Sequence, residues 1–213
     1  YTTKDIRNVA LCGHADAGKT SLAEAMLFKA GVTTRQGRVP EKNTVSDFDP
    51  DEHDRDHSVD TSILHLDWKG KRINLLDAPG RPEFFGKAIE ALAAVETAAI
   101  VINASGGIGI NARRCWLRAE KMGLGRVIVI NKMDHENLDP PALLAELREA
   151  FGERLIPANL PNGHGADFSA VVPTLSLPDD IPGDLADEAQ EVHEALMEAV
   201  IEADDELLER YFG

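Results

Sequence analysis

"GHADAGKT", residues 13–20, follows the apolar run "IRNVALC" (6–12) and reads Gly-x-x-x-x-Gly-Lys-Thr. A short apolar run that ends on a glycine predicts a buried strand. "KTSLAEAMLFKAG" (19–31) then sets Leu22, Ala25, Met26 and Phe28 at helical spacing and closes on Gly31. Strand, glycine loop and helix form the setting in which backbone N–H groups wrap a phosphate and the helix N-terminus adds partial positive charge. Here the loop is Gly13, His14, Ala15, Asp16, Ala17 and Gly18. In it, Lys19 bridges the β- and γ-phosphates, the Thr20 hydroxyl goes to Mg²⁺, and Ser21 continues the binding set onto the helix. The loop alone does not distinguish ATP from GTP.

Outward from this stretch the pattern alternates. "SILHLDW" (62–68) alternates apolar and polar, like an edge strand, and "KGKR" turns the chain into "INLLDAPG". A helix ("PEFFGKAIEALAAVE"), a strand ("TAAIVINAS"), a helix ("NARRCWLRAEKMG") and a strand ("RVIVINKMD") follow. Next comes "DPPALLAELREAFG", a helix with Asp139 as cap and prolines in its first turn. The alternation predicts an α/β fold: a mostly parallel sheet with helices on both faces. Residues 32–60 form a long polar connection of the functional or mobile kind. After Gly152 the rhythm breaks into short strand-like pieces and then acidic helical sequence, with Leu185, Ala189, Val192, Leu196, Ala199 and Val200 as a packing stripe. This organisation predicts a main domain over 1–152 and a small α+β insert over 153–213.

Two further motifs sit at strand ends. In "DAPG" (77–80), Asp77 can hold Mg²⁺ directly or through water, and Gly80 can offer its N–H to a γ-phosphate. In "NKMD" (131–134), Asn131 can tie the base-binding loops together and the stem of Lys132 can lie along a purine. The Asp134 carboxylate can accept from the N1–H and 2-amino group of guanine. Adenine lacks both donors and would leave the carboxylate unpaired. Three motifs in this order predict a P-loop GTPase that binds GTP and GDP.

On "GHADAGKTSLAEAML", "WKGKRINLLDAPG" and "NKMD" the chain resembles the translational GTPases, and among them elongation factor G and its relatives. "IPANLPNGHGADFSAVV" and the acidic tail from "DIPGDLADE" onward are similar to the insert called G′ in that group. The resemblance implies a monomeric cytoplasmic GTPase of protein biosynthesis that acts on the ribosome, with G′ meeting the large-subunit stalk protein. It implies that Asp16 helps bind a monovalent cation near the phosphates. It also implies that Ser58 stands where a switch threonine binds Mg²⁺, preceded by Asp56 and His57 in place of Gly and Ile. Lys19, Asp16 and Gly80 become candidate catalytic groups.

The largest departure is Arg81, where the family has the histidine that positions the attacking water. A guanidinium donates hydrogen bonds but accepts none. It could stabilise charge on a transferring phosphoryl group. Ala15 and His57 occupy the family's apolar gate positions. These changes predict slow hydrolysis, or a GTP-sensing module that hardly hydrolyses. The family's last guanine motif and later domains are absent from the sequence, as expected of part of a longer chain.

Composition agrees. The 213 residues are 43% hydrophobic, enough for a packed core, and no run of about 18 apolar residues could span a membrane. The net charge of −15 argues against direct nucleic-acid binding. Residues 1–134 hold 19 Lys and Arg against 18 Asp and Glu, a balance of +1, whereas residues 135–213 hold 3 against 19, a balance of −16. The acidic part therefore has its own role as a partner surface. Cys12 and Cys115 read as two buried thiols. His53 and His57 are spaced like metal ligands but lie in the polar connection, where a switch loop is the better reading. Trp68 and Trp116 read as packing residues and His135 as exposed.

Overall fold

A computed structural model describes residues 1–46, 52 and 58–203. Strands β1 (Ile6–Gly13), β2 (Ser62–Trp68), β3 (Lys71–Asp77), β4 (Thr97–Asn103) and β5 (Gly125–Asn131) form one sheet in the order β2-β3-β1-β4-β5. All its pairings are parallel except β2 with β3. That hairpin turns on Lys69 and Gly70, both at positive φ, as a two-residue turn matching the strand twist requires. β2 is the edge strand that the alternation of "SILHLDW" predicts: Leu64 and Leu66 are buried and Ile63 is 74% exposed.

Helix α1 (Lys19–Lys29) covers one face. Its Leu22, Ala23, Met26 and Leu27 pack on Val9, Leu11, Leu64, Leu66, Ile73, Leu75 and Ala99. The alternate strand residues Ala10, Cys12, Ala98, Ile100 and Ile102 are buried on the other face, because successive side chains of a strand point to opposite sides. There α2 (Phe85–Ala93) buries Ala88, Ala91 and Leu92, and α3 (Ile110–Lys121) buries Ala112, Cys115, Trp116 and Ala119. Cys12 of β1 and Cys115 of α3 are buried free thiols, and the neighbouring Cys115 together with burial pushes the Cys12 thiol up. Trp116 is buried under the Arg126 guanidinium, whereas Trp68 is 42% exposed. The expectation that Trp68 packs is corrected: it ends the edge strand beside the turn and is exposed there.

The chain divides into two compact units, 1–132 and 133–213. The division falls where the charge balance changes. In the second unit, α4 (Pro140–Phe151) starts as predicted, the Asp139 carboxylate accepting from the Ala142 N–H at 3.0 Å ahead of Pro140 and Pro141. β6 (Asn159–Asn162) and β7 (Ala170–Pro173) form an antiparallel hairpin. Helix α5 (Ala186–Glu202) packs Leu185, Ala189 and Val192 against Leu160 and Val172, and the His193 ring donates to the Thr174 carbonyl at 2.7 Å. The expected packing stripe therefore fades along the helix, with Leu196 half-buried. Ala199 and Val200 are exposed, because four-residue strands cannot cover a longer helix.

Candidate nucleotide-binding site

β1 lies between β3 and β4, and the chain crosses from one side of it to the other. In open α/β sheets ligands bind at such a crossing, outside the carboxyl ends of the strands. The loop from His14 to Gly18 occupies this place. Asp16 and Gly18 take positive φ, which turns successive N–H groups toward one concavity. A side chain at Gly18 would run into the Asn131 amide. That amide donates to the Ala17 carbonyl at 3.0 Å, so the end of β5 holds the loop.

Lys19 is 7% exposed, and its Nζ donates to the His14 carbonyl at 2.9 Å. Burial lowers its pKa, and the Asp77 carboxylate opposes that shift. A buried cation with a single carbonyl acceptor is a built site for an anion.

Beside it, the Thr20 hydroxyl donates to Asp77 Oδ2 at 2.7 Å and lies 3.5 Å from the Ser58 hydroxyl. Asp77 is 2% exposed. Two hydroxyls and a carboxylate are hard oxygen donors, and this donor set fits Mg²⁺ held jointly with phosphate oxygens.

Gly80 lies against the loop. A Cβ there would collide with Lys19 Nζ and approach the Ala15 nitrogen and His14 oxygen within 2.7 Å. The Gly80 carbonyl accepts from Asn111 Nδ2 at 2.8 Å. A cleft of about 540 Å³ is bordered by Ala15, Asp16, Ser21, Ser58, Arg81 and Lys132 together with the loop, and by Val39 and Pro40. The structure thus brings together the phosphate-loop residues, Asp77, Ser58, Gly80, Arg81, Asn131 and Lys132. Asp134 is exposed and belongs to the second unit, two residues past Lys132. Asp56, His53 and His57 lie outside the described residues, and no cluster of metal-ligating side chains occurs among the described ones.

Two groups escaped the sequence reading. Asn111 (1% exposed) braces Gly80 and accepts from Arg114, which itself stacks on Phe85. Glu24 (1% exposed) accepts from the Gly37 and Val45 N–H groups. The available signal was a carboxylate on the apolar face of α1, between Ala23 and Leu27.

Comparison with known proteins agrees with this geometry. The elongation factor Tu GTP binding domain family matches residues 4–206, and the chain belongs to that family. It is 34% identical to an elongation factor G-like protein of Mycobacterium tuberculosis over 98% of this chain and 30% of that protein. It is 35% identical to a mitochondrial ribosome-releasing factor 2 of Culex quinquefasciatus over 81% of this chain and 23% of that protein. A solved structure from Thermus thermophilus superposes with a TM-score of 0.87 at 34% identity, covering 97% of this chain and 33% of that one. The chain is thus a GTP-binding domain of the elongation factor G-like kind, spanning about a quarter to a third of the length of these relatives. No described helix is long and apolar enough to cross a membrane.

Proposed function

We propose that the chain binds GTP and GDP with Mg²⁺ and works as the nucleotide switch of a factor acting on the ribosome, with slow hydrolysis. One observation carries the binding: the convergence of Lys19, Thr20, Ser58 and Asp77 in a single cleft. Lys19 and the loop N–H groups would hold phosphate oxygens, Thr20 and Ser58 would offer hydroxyls to the metal, and Asp77 would orient Thr20. Bound Mg²⁺ would neutralise charge on the β- and γ-phosphates. Gly80 would donate its N–H to the γ-phosphate from the position where Asn111 holds its carbonyl. Asp16 would add a carboxylate for a monovalent cation. Asn131, Lys132 and Asp134 would read the base.

Arg81 supports the slow step. It borders the cleft but has no acceptor with which to orient a water. The same observation favours a second reading, a GTP-sensing module that exchanges partners with almost no hydrolysis. Residues 153–213 would form the G′-like insert and dock the stalk protein through acidic helix surface, in a monomeric cytoplasmic protein without direct nucleic-acid contact. The deciding experiment is single-turnover GTP cleavage with and without ribosomes. Cleavage stimulated by ribosomes supports the first reading, and tight GTP binding without cleavage in either condition supports the second.

A further inference from the structure

Residues 37–45 form a closed loop. Its neck is tight: a side chain at Gly37 would strike the Glu24 carboxylate and approach the Thr44 Cα and Asn43 oxygen within 2.9 Å. The Arg38 N–H donates to Asn43 Oδ1 at 2.7 Å. Inside the neck, Val39–Glu41 make one 3-10 turn, and Lys42 at positive φ brings the chain back. Both ends of the loop are fastened to α1 by one side chain. Glu24 Oε2 accepts from the Gly37 N–H at 3.2 Å, and Oε1 accepts from the Val45 N–H at 2.6 Å. The tip, Val39 and Pro40, borders the same cleft as Lys19 and Thr20.

A buried carboxylate is expensive unless its oxygens are satisfied. Glu24 meets that condition by ordering the loop and, among the described residues, not by pairing with a cation. Since Glu24 lies one helical turn past Thr20, the phosphate site and the loop are fixed to the same rigid element. We propose that Glu24 is a positioning residue for nucleotide binding: it clasps residues 37–45 so that Val39 and Pro40 stand as a preformed wall of the cleft, independent of the γ-phosphate. This rests on the nucleotide reading of the cleft. It narrows the expected mobile switch, for the clasped loop stays in place in every nucleotide state.

The test uses the whole chain, with GDP and GTPγS as probes. Wild type, Glu24→Gln, Glu24→Ala, Val39→Gly and the Glu24→Ala/Val39→Gly double variant are compared by nucleotide dissociation rate. Amide exchange at Gly37 and Val45 is followed by NMR without nucleotide. Glu24→Ala should speed dissociation of both nucleotides alike, by about ten-fold or more, the equivalent of one hydrogen bond to a charged group. Glu24→Gln, which keeps one acceptor oxygen, should be intermediate. The double variant should be no worse than Glu24→Ala alone, because the wall is already lost. Protection at Gly37 and Val45 should be present in wild type and absent in Glu24→Ala. Additive effects of Glu24→Ala and Val39→Gly, a loss confined to GTPγS, or unprotected amides in wild type would each overturn the clasp. If Glu24→Ala does not fold, Glu24→Gln and Val39→Gly carry the same comparison. Failure of wild type to bind GDP would instead defeat the nucleotide reading, and the exchange data would still judge the clasp.

Discussion

Thr20 and Asp77 are 57 residues apart in sequence and joined by a 2.7 Å hydrogen bond between the Thr20 hydroxyl and Asp77 Oδ2. The bond links the first turn of α1 to the end of β3, and both groups are buried. It commits the Thr20 proton to Asp77 and would leave the hydroxyl's lone pairs for a metal near Ser58. In the proposed reading Asp77 would thus orient Thr20 as a metal ligand, in addition to any contact of its own with the metal. Removing such a partner lowers metal affinity about 10–100-fold. Asp77→Asn should show this in a Mg²⁺ titration of GDP dissociation, while nucleotide binding in EDTA changes little. An equal loss with and without Mg²⁺ would refute the role.

Lys19 bears the cost of the site when no nucleotide is bound. Its folded pKa is lowered below the ordinary 10.5, chiefly by burial. Between those two values the unfolded chain binds more protons than the folded one, so this group makes stability rise as pH rises through that window. Lys19→Met should raise the nucleotide-free Tm at neutral pH and abolish the alkaline rise. It should also lose the stabilisation by ligand, about 2.7 kcal/mol for wild type at a hundred times Kd. A lower nucleotide-free Tm in Lys19→Met, seen by calorimetry, would contradict the argument.

In the proposed reading Asp134 would set the choice of base. Wild type should prefer guanine over adenine nucleotides in competition. Asp134→Asn should shift preference toward xanthine nucleotides, since an amide donates to the xanthine 2-oxo group. Equal affinity of wild type for ATP and GTP would remove the assignment.

Arg81→His should raise single-turnover cleavage only partly. A positioning base is worth about 10²–10⁴-fold in rate, but Ala15 and His57 still replace the apolar gate that would hold the imidazole in place. Measured on the factor with ribosomes present, a slower Arg81→His would show that Arg81 itself assists cleavage.

The acidic surface of α5 should bind its partner through charge. Glu191, Glu194 and Glu198 are exposed, and exposed charges are screened over about 8 Å at physiological ionic strength. Reversing all three to lysine should abolish salt-dependent binding of the ribosomal stalk protein. Affinity unchanged by the reversal would leave only a solvated face.

Much of this molecule is legible along the chain because its signals are local. The strand–loop–helix around "GHADAGKT", the β2–β3 hairpin, the Asp139 cap and the separate acidic region each depend on residues a few positions apart. Local pattern also marked Thr20, Asp77 and Asn131 as members of one site, since their motifs fall at strand ends that a parallel sheet aligns. What only the tertiary structure decided is which distant groups satisfy one another. Glu24 looks like any helical carboxylate until Gly37 and Val45 fold back to fill its oxygens. Asn111 looks like a helix-start residue until the Gly80 carbonyl arrives beneath it. The length of α5 that is buried, and the exposure of Trp68, depend in the same way on what the rest of the chain lays against them. A buried polar atom must find a partner, and the sequence shows the need without showing the partner. Only the packed fold brings the two within hydrogen-bonding distance.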